Sequence, residues 1–353
     1  PYLGGKRRLC PLIFRELGRV LPRRLWPRLT LLDGFLGGGA VSLFAKAQGF
    51  SVIATDIAER SVVVGEALIA NSRVTLRRED VLRIAAPSDG PPGRVERSCV
   101  PGTFTRAQAR VLDRALSLAE EARDVARRAL LRLLAVRVAL ACHPMSQVRA
   151  GNMPKVAEGE FDSITESCLK QYVDGLRMTR PDQLWDLARQ INGGVFHGEA
   201  RVMKRSILDV LPDVGAHVFY MDPPYPGTSS YEREYRVIDE ILEGAALPVS
   251  PFSAKDGAAL LDRVLERATH IPVWVLSLGN ATVTTEELEA KMRHHGREVR
   301  STSVRYAHKA AVASKEARET NREFVVVGWD LELLENISPH RTAAEPAIEG
   351  ARE

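Results

Sequence analysis

The sequence predicts an α/β fold built on a doubly wound sheet. Three observations predict it: apolar runs of strand length alternate with helix-compatible segments, a Gly37-Gly38-Gly39 turn follows the first of these runs, and an acidic residue, Asp56, closes the second.

Taken in order, Leu29 to Phe35 reads as the first strand, Ala40 to Gln48 as a helix, Ser51 to Thr55 as the second strand and Glu59 to Ala70 as a second helical stretch. Gly37 and Gly39 let the backbone turn tightly at the end of a strand and approach a ligand without a Cβ in the way. Ser42 stands where a dinucleotide fingerprint needs its third glycine, so that kind of site is a poor match. Asp56, at the end of the second strand, is placed to accept hydrogen bonds from a ribose diol.

The middle of the chain changes character. Pro87 to Gly102 is rich in Pro, Gly and Ser and reads as a loop. Thr105 to Leu140 has neither Gly nor Pro and reads as one long helix, His143 to Thr165 is irregular, and Pro181 to Ile191 is helical again. Strand signals return at Gly215 to Met221, Ile271 to Leu278 and Glu323 to Trp329, separated by helices at Tyr231 to Glu243, Ala254 to Ala268 and Thr285 to His294. The expected organisation is a sheet domain formed by residues 1–84 and 201–335, a mostly helical insertion at 85–200, and a polar tail at 336–353.

With 45% hydrophobic and 27% charged residues the chain fits an ordinary soluble globular protein and not a disordered one. The formal charge of +4 excludes little, but its distribution is uneven: +7 over residues 1–84, +2 over 85–200 and −5 over 201–353. Such polarity suits a polyanionic partner, and it suits solvated helix faces equally well. Cys10, Cys99, Cys142 and Cys168 form no CxxC pair, which indicates neither zinc nor a disulfide framework and fits a reducing cytoplasm. The longest apolar stretch, Ala129 to Cys142, carries Arg132 and Arg137 and is too short to span a bilayer. No signal peptide is visible, so a cytoplasmic location is expected.

The most specific signal is Asp222-Pro-Pro-Tyr225, directly after the apolar strand that ends at Met221. Two prolines remove two backbone donors, fix a bend and leave carbonyl oxygens as outward acceptors. The amine on a heteroaromatic ring is a poor nucleophile because its lone pair is delocalised. The Asp222 carboxylate and the Pro223 carbonyl can bind its two N–H bonds, favour tetrahedral geometry and free that lone pair for attack. Tyr225 can stack on the ring.

In order and spacing, Tyr2-Leu-Gly-Gly-Lys6, Asp33-Gly-Phe-Leu-Gly-Gly-Gly39, Asp56, a long insertion and Asp222-Pro-Pro-Tyr225 resemble the S-adenosylmethionine-dependent DNA adenine-N6 methyltransferases of the alpha group, the D12 class of bacterial DNA adenine methylases. Val275-Leu-Ser-Leu-Gly-Asn280 and Asn321-Arg-Glu-Phe-Val-Val-Val327 resemble the family's downstream core strands. The likeness covers about two thirds of the chain and is weakest at 85–200. It implies a Rossmann-like methyltransferase sheet with a target-recognition insertion, S-adenosylmethionine as cofactor, and double-stranded DNA as partner with its target base flipped out. It also implies catalytic roles for Asp222, Pro223, Pro224 and Tyr225. The cofactor would meet Tyr2, Gly4, Gly5, Lys6, Phe35, Gly37, Gly39 and Asp56, with Lys6 near its methionine carboxylate. No metal and no covalent nucleophile are expected. DNA contacts are expected from Arg7, Arg8, Arg123, Arg127, Arg128, Arg132 and Arg149 and from a basic hairpin between Arg297 and Arg322, although acidic neighbours make the long helix equally consistent with a solvated face. Partner subunits of a modification or phage-defence system are possible. The competing readings are cytosine-N4 or RNA adenine methylation and a catalytically silent DNA-binding subunit.

Overall fold

The structure, a computed structural model, describes residues 5–87, 89–100, 103–142, 173–224, 231–244, 251–253, 257–280, 283–305 and 321–337. Among the described residues seven strands, β1 (Thr30–Asp33), β2 (Ser51–Asp56), β3 (Ala200–Lys204), β4 (Val218–Met221), β5 (Val273–Gly279), β6 (Glu298–Arg305) and β7 (Arg322–Trp329), form one sheet in the order β3-β2-β1-β4-β5-β7-β6. The five strands from β3 to β5 are parallel, and β7 runs antiparallel between β5 and β6. This is the predicted doubly wound, Rossmann-like sheet.

Along the chain the helices are α1 (Cys10–Val20), α2 (Ala40–Ala47), α3 (Glu59–Val64), α4 (Arg78–Ala85), α5 (Arg94–Cys99), α6 (Arg106–Glu121) and α7 (Val125–Cys142). They continue with α8 (Pro181–Asn192), α9 (Ile207–Val210), α10 (Tyr231–Glu243), α11 (Gly257–Arg267), α12 (Thr285–His294) and α13 (Leu331–Ile337). Alternate strand residues feed two apolar cores. Leu31, Val52, Tyr220, Val275 and Val325 face α1, α2, α7 and α10, whereas Leu32, Ile53, Phe219, Trp274 and Val326 face α9, α11 and α12. Covering both faces is why the central strands read as continuous apolar runs. Leu112, Leu130, Leu134 and Leu184, from the helical middle of the chain, belong to the first core and join it without a break.

Three expectations change. Thr105 to Leu140 forms two helices, because Asp124 Oδ1 accepts the Arg127 N–H at 2.8 Å and caps a new start after the extended Ala122. The stretch Glu59 to Ala70 is helical throughout, but its second half, Gly65–Ala70, is a π-helix. Buried Lys46 takes the carbonyls of Ile69 and Asn71, each at 2.8 Å, so the end of that segment is hydrogen-bonded without a continuing helix. Strands β3 and β6 escape sequence reading because both are edges: β3 exposes Arg201 and Lys204, and β6 alternates exposed and half-buried positions.

Candidate active site

Strands β1 and β4 are neighbours where the strand order reverses, and an open α/β sheet binds its ligands at the carboxyl ends beside that point. Asp33 ends β1, Asp56 ends β2 and Asp222 follows β4, so three carboxylates gather on this edge. Because β7 runs the opposite way, its first residues reach the same edge, and Glu323 is a fourth carboxylate.

The glycine turn is shaped by Asp56. Its Oδ2 accepts the Gly37 N–H and its Oδ1 the Ala58 N–H, both at 2.9 Å. Gly37 and Gly39 have φ of 50° and 72°, in the left-handed region that suits glycine. Gly37 is half-buried at the edge, whereas Gly39 is buried and a Cβ there would lie 3.1 Å from Val64. Phe35 is half-buried and meets Phe252 edge-on, with ring centroids 5.0 Å apart. Ile57, directly after Asp56, exposes its apolar side chain.

Asp33 is buried under the turn. Ser42 Oγ donates to its Oδ2 at 2.7 Å and the Phe35 N–H to its Oδ1 at 3.3 Å. Burial nevertheless pushes its carboxyl up to about 7, with Asp222 and Asp56 adding to the rise. Tyr220, opposite Asp33 in the sheet, is held neutral: burial, then the nearby Asp222, raises its phenol well above the ordinary range.

Lys6 lies just before α1, which packs over β5 and β7. Its ammonium, 3% exposed as a residue, contacts Asp222 Oδ1 at 2.7 Å and Glu323 Oε1 at 3.3 Å. Ser277 Oγ donates to the same Glu323 oxygen at 2.8 Å. Lys6 thus lies against the Asp222 carboxylate at the sheet edge. Asp222 keeps 18% of its side chain exposed, Pro223 is buried and Pro224 half-buried. Gly5 is half-buried beside Lys6, while Tyr2, Gly4 and Tyr225 lie outside the described residues.

Sequence reasoning gave no role to Asp33, Ile57, Ser277 or Glu323. A signal for Glu323 does exist: a carboxylate directly before the apolar run Phe324-Val-Val-Val327 needs a buried partner.

The arginines redistribute. Arg127 pairs with Asp80, Arg132 with Glu59, and Arg128 donates to the Ala122 carbonyl, so each has an internal role. Arg297 is buried over the Trp274 ring, and Arg300 pairs with Glu16. Arg7, Arg8 and Arg123 are exposed and form no ion pair among the described residues. Arg149 and residues 306–320 lie outside them. Cys10 and Cys142 are buried and their thiols are pushed up to about 12 by burial, which suits packing and not nucleophilic chemistry. Among the described residues no group of three or more His, Cys, Asp or Glu could hold a metal ion, and no helix is long and apolar enough to cross a membrane.

A parallel sheet with an antiparallel β7 inserted, and Asp-Pro-Pro on the β4 edge, define a Rossmann-like methyltransferase. The family model for D12 class N6 adenine-specific DNA methyltransferases matches residues 2–87. The chain is also 25% identical over 338 residues to the type II methyltransferase M2.HphI of Haemophilus parahaemolyticus, covering 92% of this chain and 95% of that protein. Both likenesses support a DNA adenine methyltransferase.

Proposed function

We propose that the chain transfers a methyl group from S-adenosylmethionine to N6 of an adenine flipped out of double-stranded DNA. The observation that carries this reading is the placement of Asp222-Pro223-Pro224 after β4 at the switch point, with Lys6 fixed on Asp222.

The residues present suit the cofactor. Asp56 and Asp222 close the same sheet edge, and Lys6 meets both Asp222 and Glu323; such an acidic edge favours a ligand bearing a sulfonium and an ammonium. Asp56 and the half-buried glycine edge would hold its ribose, Phe35 and exposed Ile57 would supply apolar surface to its nucleoside, and Gly5 would allow close approach near Lys6. When bound, S-adenosylmethionine supplies an electrophilic methyl group.

The protein's own part is positioning and electrostatics. Asp222 and the Pro223 carbonyl would accept the two N–H bonds of the target amine and Tyr225 would stack on the base, which would leave the amine lone pair free for attack on the donor's methyl group. As the N–C bond forms the nitrogen gains positive charge, which the acidic edge stabilises, and one proton then leaves to solvent. Neither a metal nor a covalent nucleophile takes part.

Residues 1–84 and 201–335 would form the catalytic domain, 85–200 would carry target recognition, and 336–353 would be a tail. The likeness to a type II methyltransferase supports a restriction-modification setting in the cytoplasm, with or without partner subunits. The test is methylation of labelled duplex DNA and RNA followed by nucleoside analysis. N6-methyladenine from DNA is expected; N4-methylcytosine alone would overturn the proposal.

A further inference from the structure

Glu323 is fully buried at the start of β7, and the proposed transfer does not use it directly. A buried carboxylate is costly unless it is paired and hydrogen-bonded. Here it has both kinds of partner, Lys6 at 3.3 Å and the Ser277 hydroxyl at 2.8 Å. Lys6 already has a counter-charge at 2.7 Å in Asp222, so neutralising the ammonium does not require a second acid. Glu323 therefore exceeds what neutralising the ammonium needs, and its contact holds the ammonium from a second side.

We infer that Glu323 is a positioning residue for methyl transfer, which acts through Lys6 to hold the ammonium between two carboxylates and so keeps Asp222 an oriented, charge-bearing acceptor. The inference rests on the proposed transfer. In that reaction the N–C bond forms as the S–C bond of the donor breaks, the bonding pair stays on sulfur, and the methylated amine releases one proton to solvent. A carboxylate held in orientation on the amine is of most use while the nitrogen is cationic, in the transition state and not in the bound ground state.

The experiment compares full-length wild type, Glu323→Gln, Lys6→Met and the double variant on duplex DNA, with kcat and KM measured for both substrates and donor binding by calorimetry. Glu323→Gln keeps the shape of the side chain and removes its charge. Its kcat is expected to fall on the order of 10- to 100-fold, less than removal of a directly contacting group can cost, with both KM values and donor affinity within about threefold. In the Lys6→Met background the same change is expected to cost less than about threefold, since the two residues act as one unit. Unchanged turnover in Glu323→Gln, or losses that simply multiply in the double variant, would overturn the inference. Should Glu323→Gln fail to fold, Glu323→Asp, which shortens the reach to Lys6, takes its place in the same cycle with the same criteria. Wild type reports separately on the proposed function: no N6-methyladenine from wild type defeats that reading, whereas an active wild type beside an indifferent Glu323→Gln defeats only the role of Glu323.

Discussion

At the scale of single residues, two acids on the sheet edge make opposite demands. Asp222 is partly exposed and lies against Lys6, as an acceptor must be, and Asp222→Ala is expected to lower kcat by roughly 10³-fold or more while donor binding changes little. Single-turnover methylation beside calorimetry separates the two effects, and retained turnover would remove Asp222 from the mechanism. Asp33 is buried and its carboxyl lies near 7, against an ordinary value of 3.8. Between those values the folded chain holds a proton that the unfolded chain has released. Its contribution to stability is therefore complete below about pH 4 and is lost as pH rises through about 7. Asp33→Asn should flatten the pH dependence of urea unfolding between those limits, and an unchanged slope would contradict the assignment. Asp222 was legible because two prolines mark it in one dimension. Glu323 was not, because its partner Lys6 is 317 positions away and only the reversed direction of β7 brings them together.

At the scale of elements, the central strands and most helices were legible, since strands covered on both faces read as unbroken apolar runs. The edge strands β3 and β6 were not: covered on fewer sides, they carry charges that read as loop or hairpin. The break between α6 and α7 was legible in principle, as Asp124 precedes a helical run in the manner of a cap. Asp124→Ala should cost about 1 kcal/mol of stability in denaturant titrations, with no effect on methylation. Helices α3 and α10 are joined by a buried pair, Arg60 with Asp239, whose closest approach is 2.6 Å, and Arg60 also lies over the Tyr235 ring. Helix α3 follows β2 and helix α10 follows β4, so this pair ties the two sides of the switch point together. Asp239→Ala removes the buried carboxylate paired with Arg60 and should destabilise by about 3–5 kcal/mol, measurable by urea unfolding.

At the scale of the whole molecule, the sequence showed a basic beginning and an acidic end, and the fold shows which of those charges remain available to a polyanion. Arg127, Arg132 and Arg300 are engaged with Asp80, Glu59 and Glu16, while Arg7 and Arg8 are exposed beside Lys6. DNA affinity should fall with rising salt, and the Arg7→Ala, Arg8→Ala double variant should reduce the slope of log K against log salt by about 2, whereas Arg127→Ala should leave it unchanged. Equal slopes in all three proteins would show that phosphate binding lies elsewhere. The contact of Lys6 with Glu323 also orders events during synthesis. A ribosome delivers residue 6 first and residue 323 more than 300 residues later, so a nascent chain can hold its glycine turn and its Asp-Pro-Pro bend long before the charge group closes. Prematurely terminated chains lacking β7 would keep the five parallel strands yet lose the Glu323 contact of Lys6, and competence to modify DNA would arrive only as β7 docks.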